Sequence, residues 1–108
     1  MMYPKPTKAT KDPAYLAEVR KLPCIICQEW GMRQLSATTA HHVCHDRFSG
    51  RKTDDRMAIP LCDGHHQGLR DRSKLAIHLE KARWRATYGP DHGFSARIQS
   101  IIKGDVTR

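Results

Sequence analysis

The sequence predicts a small α+β protein with a single domain. Two short apolar segments, at 39–43 and 56–61, have the composition of strands, and amphipathic segments around them have the apolar spacing of helices. A chain of 108 residues suits one domain with one small core. We expect this domain at residues 12–108. Residues 1–11 combine Pro, Lys and Thr without an apolar period, so we expect a flexible basic arm there.

The domain is predicted to begin with a helix. Asp12 and Pro13 are the residue types of an N-cap and a first helical position, and the apolar residues that follow have helical spacing up to Pro23. The segment 24–32, "CIICQEWGM", is interpreted as a turn that opens on two cysteines. Residues 33–39 have little pattern, so we expect a loop that leads into the first strand.

A strand–strand–helix unit at about residues 38–70 is the predicted centre of the domain. The strands are "TAHHV" and "RMAIPL", and a polar loop that contains glycine connects them. The segment "CDGHHQGLRD", at 62–71, is predicted to form the short helix. This unit carries five of the seven histidines in the chain, which indicates a role for imidazole groups in metal binding or proton transfer.

Two further helices are predicted near the C-terminus. The stronger pattern is "SKLAIHLEKARWRATYG", at 73–89, with Ser73 as N-cap, Gly89 as terminator and Leu79 among its apolar residues. The weaker is "FSARIQSIIK", at 94–103.

The charge balance favours a polyanionic partner. There are 19 Lys and Arg residues against 11 Asp and Glu residues, a formal net charge of +8, so nucleic acid is the simplest expected partner. No apolar run approaches the ~18 residues of a membrane-spanning helix, and the first residues lack the apolar stretch of a secretory signal. We therefore expect a cytoplasmic protein without a membrane partner, in which closely spaced cysteines bind metal or serve redox chemistry.

The cysteines and one histidine have the spacing of a structural zinc site. Cys24 and Cys27 form a Cys-x-x-Cys pair, and Cys62 and His65 repeat that spacing. Together they make a Cys₃His set that suits tetrahedral Zn²⁺. The alternatives are a dithiol redox pair or buried cysteines without a ligand. Cys44 competes as the fourth ligand, but it has no partner at this spacing.

If zinc takes His65, other histidines are free for a second centre. His66 lies ~100° further round a helix than His65, so it can face the strand that carries His41 and His42. Neighbours on a regular strand point to opposite faces. Both histidines of the pair can therefore serve one site only if the strand twists or ends there.

These residues resemble the HNH (ββα-metal) endonucleases. The match is the segment Lys52-x-x-Asp55-x-x-x-Ile-Pro-Leu-Cys-x-x-His-His, which is similar to a phage-associated HNH group. With the upstream Cys-x-x-Cys and the downstream "IHLEKARWRATYG", it resembles in particular the Ref (recombination enhancement function) RecA-dependent nuclease family. The resemblance covers about residues 20–90.

The resemblance implies a role for each matching residue. His42 corresponds to the general base, and Asp55 to the residue that orients the loop and the base. His41, His66 and His78 correspond to ligands of a catalytic metal, which is expected to be Mg²⁺ or Mn²⁺, with Zn²⁺ as a further option. The family also implies 5′-phosphate products, a phage or prophage setting in the bacterial cytoplasm, and a RecA-type recombinase filament as a further partner.

Four basic residues crowd the loop between the two histidine segments. Their position beside the expected active site favours contacts with DNA phosphates over a merely solvated surface. They are Arg47, Arg51, Lys52 and Arg56.

The sequence therefore predicts a metal-dependent endonuclease that hydrolyses phosphodiester bonds in DNA. The alternative from another class is a zinc-stabilised DNA-binding module without catalysis. It accounts for the charge and the Cys₃His set but not for the histidines at nuclease positions. A redox protein accounts only for the first cysteine pair.

Overall fold

The computed structural model describes residues 11–46 and 54–104. Within them the chain forms a two-stranded antiparallel sheet surrounded by five helices, which confirms the predicted α+β class. The strands are β1 (Thr38–His41) and β2 (Ile59–Cys62). The helices are α1 (Pro13–Arg20), α2 (Ile25–Glu29), α3 (Asp63–His66), α4 (Lys81–Tyr88) and α5 (Ser95–Lys103). Short 3₁₀ turns at Asp55–Met57 and Asp91–Phe94 precede β2 and α5.

Helix α1 begins as the sequence predicts. Asp12 is its N-cap, and the Asp12 carboxylate accepts the backbone N–H of Tyr15 at 3.1 Å. The helix ends at Arg20, a little before the expected end at Pro23.

The expected turn at 24–32 contains a helix instead. Cys24 is the N-cap of α2, and Ile25 and Ile26 are buried in the core. Burial of these two isoleucines stabilises the short helix, and the helix places Cys24 and Cys27 on one face. The prediction of a turn considered the two cysteines and left out the hydrophobic packing of the isoleucines between them, which explains the error.

The sheet forms at both predicted strands, although β1 ends at His41 rather than Val43, and Arg56 and Met57 belong to the 3₁₀ turn before β2. The register is fixed. Thr38 lies opposite Cys62 at one end, and His41 lies opposite Ile59 at the other. Because a two-stranded sheet consists of edge strands, Pro60 is tolerated within β2. Strand β2 leads directly into α3, so the predicted strand–strand–helix order is present. The helix predicted at 62–71 is shorter than expected, because α3 ends at His66.

The predicted helix at 73–89 is wrong in its first half, because α4 begins only at Lys81. The backbone N–H groups of Ile77 and His78 donate to the carbonyl oxygens of His65 and His66, each at 3.0 Å. These bonds replace the ones that a helix beginning at residue 73 would make. As a result Leu79, expected on an apolar helix face, is 68% exposed.

The core lies between the sheet and the helices. Its largest fully buried apolar side chains come from α1, α2, β2, the loop before α4, α4 and α5. They are Val19, Ile25, Ile26, Ile59, Pro60, Leu61, Ile77, Trp84 and Ile98. The last predicted helix is confirmed as α5. Within the described ranges, no helix has the length and apolar character needed to cross a membrane.

Candidate metal centres

Three cysteines and one histidine meet in a buried cluster, the cysteine–histidine cluster. It consists of Cys24, Cys27, Cys62 and His65. The three sulfur atoms lie 3.4–3.5 Å from Nδ1 of His65. The sulfur atoms of Cys27 and Cys62 are 3.8 Å apart.

These distances match the edges of a tetrahedron around one zinc ion. With Zn–S of ~2.3 Å and Zn–N of ~2.0 Å, two sulfurs lie about 3.8 Å apart and a sulfur and a nitrogen about 3.5 Å apart. The cysteine–histidine cluster could therefore hold a metal such as zinc. The spacing in the sequence predicted that these four residues share one ion, and the structure brings them together.

Three elements hold the four ligands of this cluster. Cys24 and Cys27 stand at the start and one turn into α2, while Cys62 ends β2 and His65 lies on α3. The second ring nitrogen of His65 lies 3.5 Å from the hydroxyl of Tyr88. The hydrogen bond between Cys24 and Cys62 lowers the pKa of the Cys62 thiol and raises the pKa of the Cys24 thiol, so the proton stays on Cys24 and Cys62 is the thiolate of the pair.

A second group, the three-histidine cluster, lies on the other side of α3. It brings together His41 at the end of β1, His66 on α3 and His78 in the loop before α4. The ring centroids are 4.6–5.7 Å apart. His41 and His66 are buried whereas His78 is exposed, so the cluster is open to solvent on one side.

The surroundings keep the imidazoles of His66 and His78 neutral. Burial, followed by the neighbouring His41 and His78, lowers the pKa of His66 to about 4. Burial, and then His41, also lowers the pKa of His78. Neutral imidazole is the form that binds metal, so near pH 7 these two rings do not need to release a proton first.

His41 also contacts an acidic residue that the sequence analysis missed. Nε2 of His41 lies 2.8 Å from a carboxylate oxygen of Asp91, and both side chains are almost fully buried. Nδ1 of His41 is buried and has no hydrogen-bond partner among the residues that the structure describes. One ring nitrogen is thus engaged and the other is left for a ligand.

His66 has a partner on the neighbouring strand. Its Nδ1 lies 2.7 Å from the hydroxyl of Thr39, and that hydroxyl donates to the carbonyl oxygen of Leu61 at 2.8 Å. Thr39 and His41 are two residues apart on β1, so they share one face of the strand. The spacing of Thr39 and His41 was therefore a signal in the sequence that both side chains face the same site.

His42, the expected base, forms a pair with Asp55. Nε2 of His42 lies 2.8 Å from a carboxylate oxygen of Asp55, and the His42 side chain is 44% exposed. The second Asp55 oxygen accepts the backbone N–H of Asp12 at 2.7 Å. The hydrogen bonds from Asp12 and then from His42 hold the pKa of Asp55 below its ordinary value.

Comparison with known protein families places the chain in one of them. A family described as "Protein of unknown function (DUF968)" matches residues 1–100. The chain belongs to the DUF968 family. A search of the curated proteins and a search of the solved structures found no match.

Asp91 organises the loop after β1 in this DUF968 protein. Its carboxylate accepts the backbone N–H groups of Cys44 and His45 at 2.6 and 3.1 Å. Burial raises the pKa of Asp91, but hydrogen bonds from His41 and these two N–H groups outweigh it and keep the pKa below its ordinary value. Asp91 is 50 residues from His41 in sequence, and nothing in the local pattern indicates their contact.

His45 lies outside both clusters of this DUF968 protein. Its Nε2 donates to the carbonyl oxygen of Lys81 at 2.9 Å, and its Nδ1 accepts the backbone N–H of Asp91 at 2.9 Å. Both ring nitrogens are engaged, and the ring is buried. His45 therefore connects the loop to α4 and to the turn before α5. Cys44, which competed with His65 as the fourth zinc ligand in the sequence analysis, lies outside the cysteine–histidine cluster.

Of the four basic residues expected to contact DNA, only Arg56 is among the described ones. Its Nε lies 3.0 Å from the carboxylate of Asp12, and the Arg56 side chain is 64% exposed. Arg47, Arg51 and Lys52 lie outside the described residues. Contact between these four residues and DNA stays a prediction.

Proposed function

We propose that this DUF968 protein is a metal-dependent endonuclease of the HNH (ββα-metal) class that hydrolyses phosphodiester bonds in DNA. The observation that carries the proposal is the arrangement at the end of β1. His41 belongs to a three-histidine cluster that is open at His78, and the next residue, His42, forms an exposed pair with Asp55. A binding module has no need for either group.

The proposed base is His42. Asp55 accepts a hydrogen bond at Nε2 of His42, which leaves the lone pair of Nδ1 free to take a proton from water. Because the Asp55 carboxylate is held from its other side by the backbone of Asp12, it fixes the position of the ring. The ring is exposed enough to meet a DNA strand.

The three-histidine cluster is the proposed site of the catalytic metal. When bound, the metal supplies charge neutralisation at the phosphate. Its ligands would be His41, His66 and His78. Three imidazoles without a carboxylate suit Zn²⁺ better than Mg²⁺ or Mn²⁺, so Zn²⁺ is the favoured ion among those expected. The cysteine–histidine cluster, in contrast, has no open side and is proposed to hold structural Zn²⁺.

The remaining expectations complete the proposal. The net charge of +8 suits a DNA substrate, with Arg47, Arg51, Lys52 and Arg56 at phosphates. The resemblance to Ref nucleases supports a role in phage or prophage DNA processing or recombination, in the bacterial cytoplasm, with a RecA-type filament as partner. The products are proposed to carry 5′-phosphates.

A plasmid nicking assay tests the proposal. Supercoiled DNA is incubated with the protein and Mn²⁺, Zn²⁺ or Mg²⁺, with EDTA as control and with or without a RecA-type filament. We expect nicked or linear DNA with at least one of the three ions, most with Zn²⁺, and none with EDTA. If no divalent ion supports nicking in either setting, but DNA binding persists and weakens steeply with salt, the non-catalytic binding module replaces the nuclease.

A further inference from the structure

The two buried histidines of the three-histidine cluster, His41 and His66, are hydrogen-bonded through different ring nitrogens. A neutral imidazole carries one proton, so one nitrogen donates and the other accepts or binds metal. For His41 the partner is a carboxylate, which accepts only, so Nε2 carries the proton. Its Nδ1, which is buried and without a partner among the described residues, is the nitrogen left to bind a metal.

For His66 the assignment is reversed. The hydroxyl of Thr39 gives its single hydrogen to the carbonyl oxygen of Leu61, so toward Nδ1 of His66 it can only accept. Nδ1 of His66 therefore carries the proton, and Nε2 is left to bind a metal. The short distance of 2.7 Å between Nδ1 and the hydroxyl oxygen agrees with a well-formed hydrogen bond.

We infer that Asp91 and Thr39 are positioning residues that lock His41 and His66 in opposite tautomers, so that Nδ1 of His41 and Nε2 of His66 face one metal. The inference rests on the proposed function, since it takes the cluster to be a metal centre. A ring in the wrong tautomer would direct a hydrogen at the metal and block it. Outer partners of this kind fix ring orientation and strengthen metal binding.

The surroundings of Asp91 support this role. Its carboxylate is occupied by the His41 ring and by the N–H groups of Cys44 and His45, so its position relative to the end of β1 is fixed. Asp91 also lies near Cys44 and His41 in a way that a metal ion could use. An ion there would have to displace these three hydrogen bonds, so we assign Asp91 to His41.

Metal affinity tests the inference with matched variants. The probe is Co²⁺, added to protein whose cysteine–histidine cluster already holds zinc and followed by visible absorption. Asp91→Asn can turn an amide N–H toward Nε2 and reverse the tautomer of His41, and Thr39→Val removes the acceptor for His66. Each should weaken Co²⁺ binding roughly 10- to 100-fold.

Two conservative variants provide the controls. Thr39→Ser keeps the hydroxyl and should bind Co²⁺ like the parent. Thr38→Val makes the same change one residue away, where the hydroxyl contacts Gln34, and should also bind like the parent. Affinity at the parent level in folded Asp91→Asn or Thr39→Val protein would overturn the inference, as would equal losses in Thr39→Ser and Thr39→Val.

The tautomers themselves can be read in the parent, so the test does not depend on whether a variant folds. Long-range ¹H–¹⁵N NMR spectra of the zinc-loaded protein without Co²⁺ should show Nε2–H for His41 and Nδ1–H for His66. The opposite tautomer at either ring overturns the inference. Neither measurement uses DNA, so a protein with these tautomers and affinities that never nicks a plasmid would refute the nuclease proposal alone.

Discussion

His41 and His42 are neighbours in sequence with different surroundings. His41 is buried between Asp91 and the other two histidines of its cluster, whereas His42 is exposed and bonded to Asp55. The end of β1 at His41 removes the constraint that regular strand neighbours face apart. One short segment can therefore supply both a metal ligand and a base.

Replacing His42 should separate catalysis from folding. We expect His42→Ala to keep its zinc and its DNA affinity and to lose nicking activity by a factor of roughly 10² to 10⁴, the contribution of a positioned base. His92→Ala is the matched control, because His92 is partly exposed, contacts Asp46 and lies outside both clusters. Equal nicking rates for His42→Ala and the parent would show that another group is the base.

Asp55 should make the stability of the fold depend on pH in the acidic range. Its pKa is lowered in the folded protein, by the backbone N–H of Asp12 and then by His42, from a reference value of 3.8. Its contribution to stability is therefore present above the unfolded pKa and is lost as pH falls through the folded one.

The variant Asp55→Asn tests this pH dependence. We expect its urea midpoint to lie below that of the parent at pH 7, and the difference to shrink once the pH falls below 3.8. A difference that is constant from neutral to acid pH would mean that the charge of Asp55 plays no part in the stability.

Among the elements, the loop between α3 and α4 differs most from the sequence prediction. Asp63, the first residue of α3, accepts the backbone N–H groups of Leu69, Arg70 and Asp71 at 3.3, 2.7 and 2.8 Å. Further along the loop, the backbone N–H groups of Ile77 and His78 donate to carbonyl oxygens at the end of α3. The short helix α3 thus organises the loop that carries His78.

Removing the Asp63 carboxylate should loosen this loop. In Asp63→Ala we expect the amide hydrogens of Leu69, Arg70 and Asp71 to exchange roughly tenfold faster, as the loss of hydrogen bonds to a charged acceptor implies. Co²⁺ binding at the three-histidine cluster should weaken as well. Asp63→Asn keeps one acceptor oxygen, so its exchange rates and Co²⁺ affinity should lie between those of the parent and those of Asp63→Ala. Unchanged exchange rates in Asp63→Ala would contradict this role.

Local patterns in the sequence predicted the start of α1 and the approximate positions of both strands. Asp12 and Pro13 marked the start of α1, and two short apolar segments joined by a polar loop marked the strands. The helix expected from residue 73 failed because its competitors, the carbonyl oxygens of His65 and His66, come from another element. The pairing of His41 with Asp91 was invisible for the same reason, since it joins residues 50 apart in sequence.

For the molecule as a whole, the two clusters depend on each other through α3. His65 belongs to the cysteine–histidine cluster and His66 to the three-histidine cluster, and one peptide bond joins them. The carbonyl of His65 also accepts the indole N–H of Trp84, which is fully buried. Loss of zinc should therefore disturb the core and the proposed active site together.

Zinc removal tests this dependence. Structural zinc contributes on the order of 10 kcal/mol in small domains, so Cys24→Ser should lose cooperative thermal unfolding and nicking activity. It should also lose the zinc that a thiol-specific mercurial releases from the parent. Cys44→Ser, a cysteine outside the cluster, should keep that zinc and the parent unfolding temperature. The structural role of zinc would be refuted if Cys24→Ser kept the parent's stability and released as much zinc as the parent on treatment with the mercurial.

The adjacency of His65 and His66 also limits where this chain can change in length. One residue inserted into α3 would rotate everything after it by ~100°, so one of the two ligands would leave its cluster. The side chains of Leu69 and Arg70 in the following loop are exposed, but their backbone N–H groups donate to Asp63, so this loop is constrained as well. Peptide insertions for labelling or fusion should therefore be rejected in α3 and should loosen the loop that follows it.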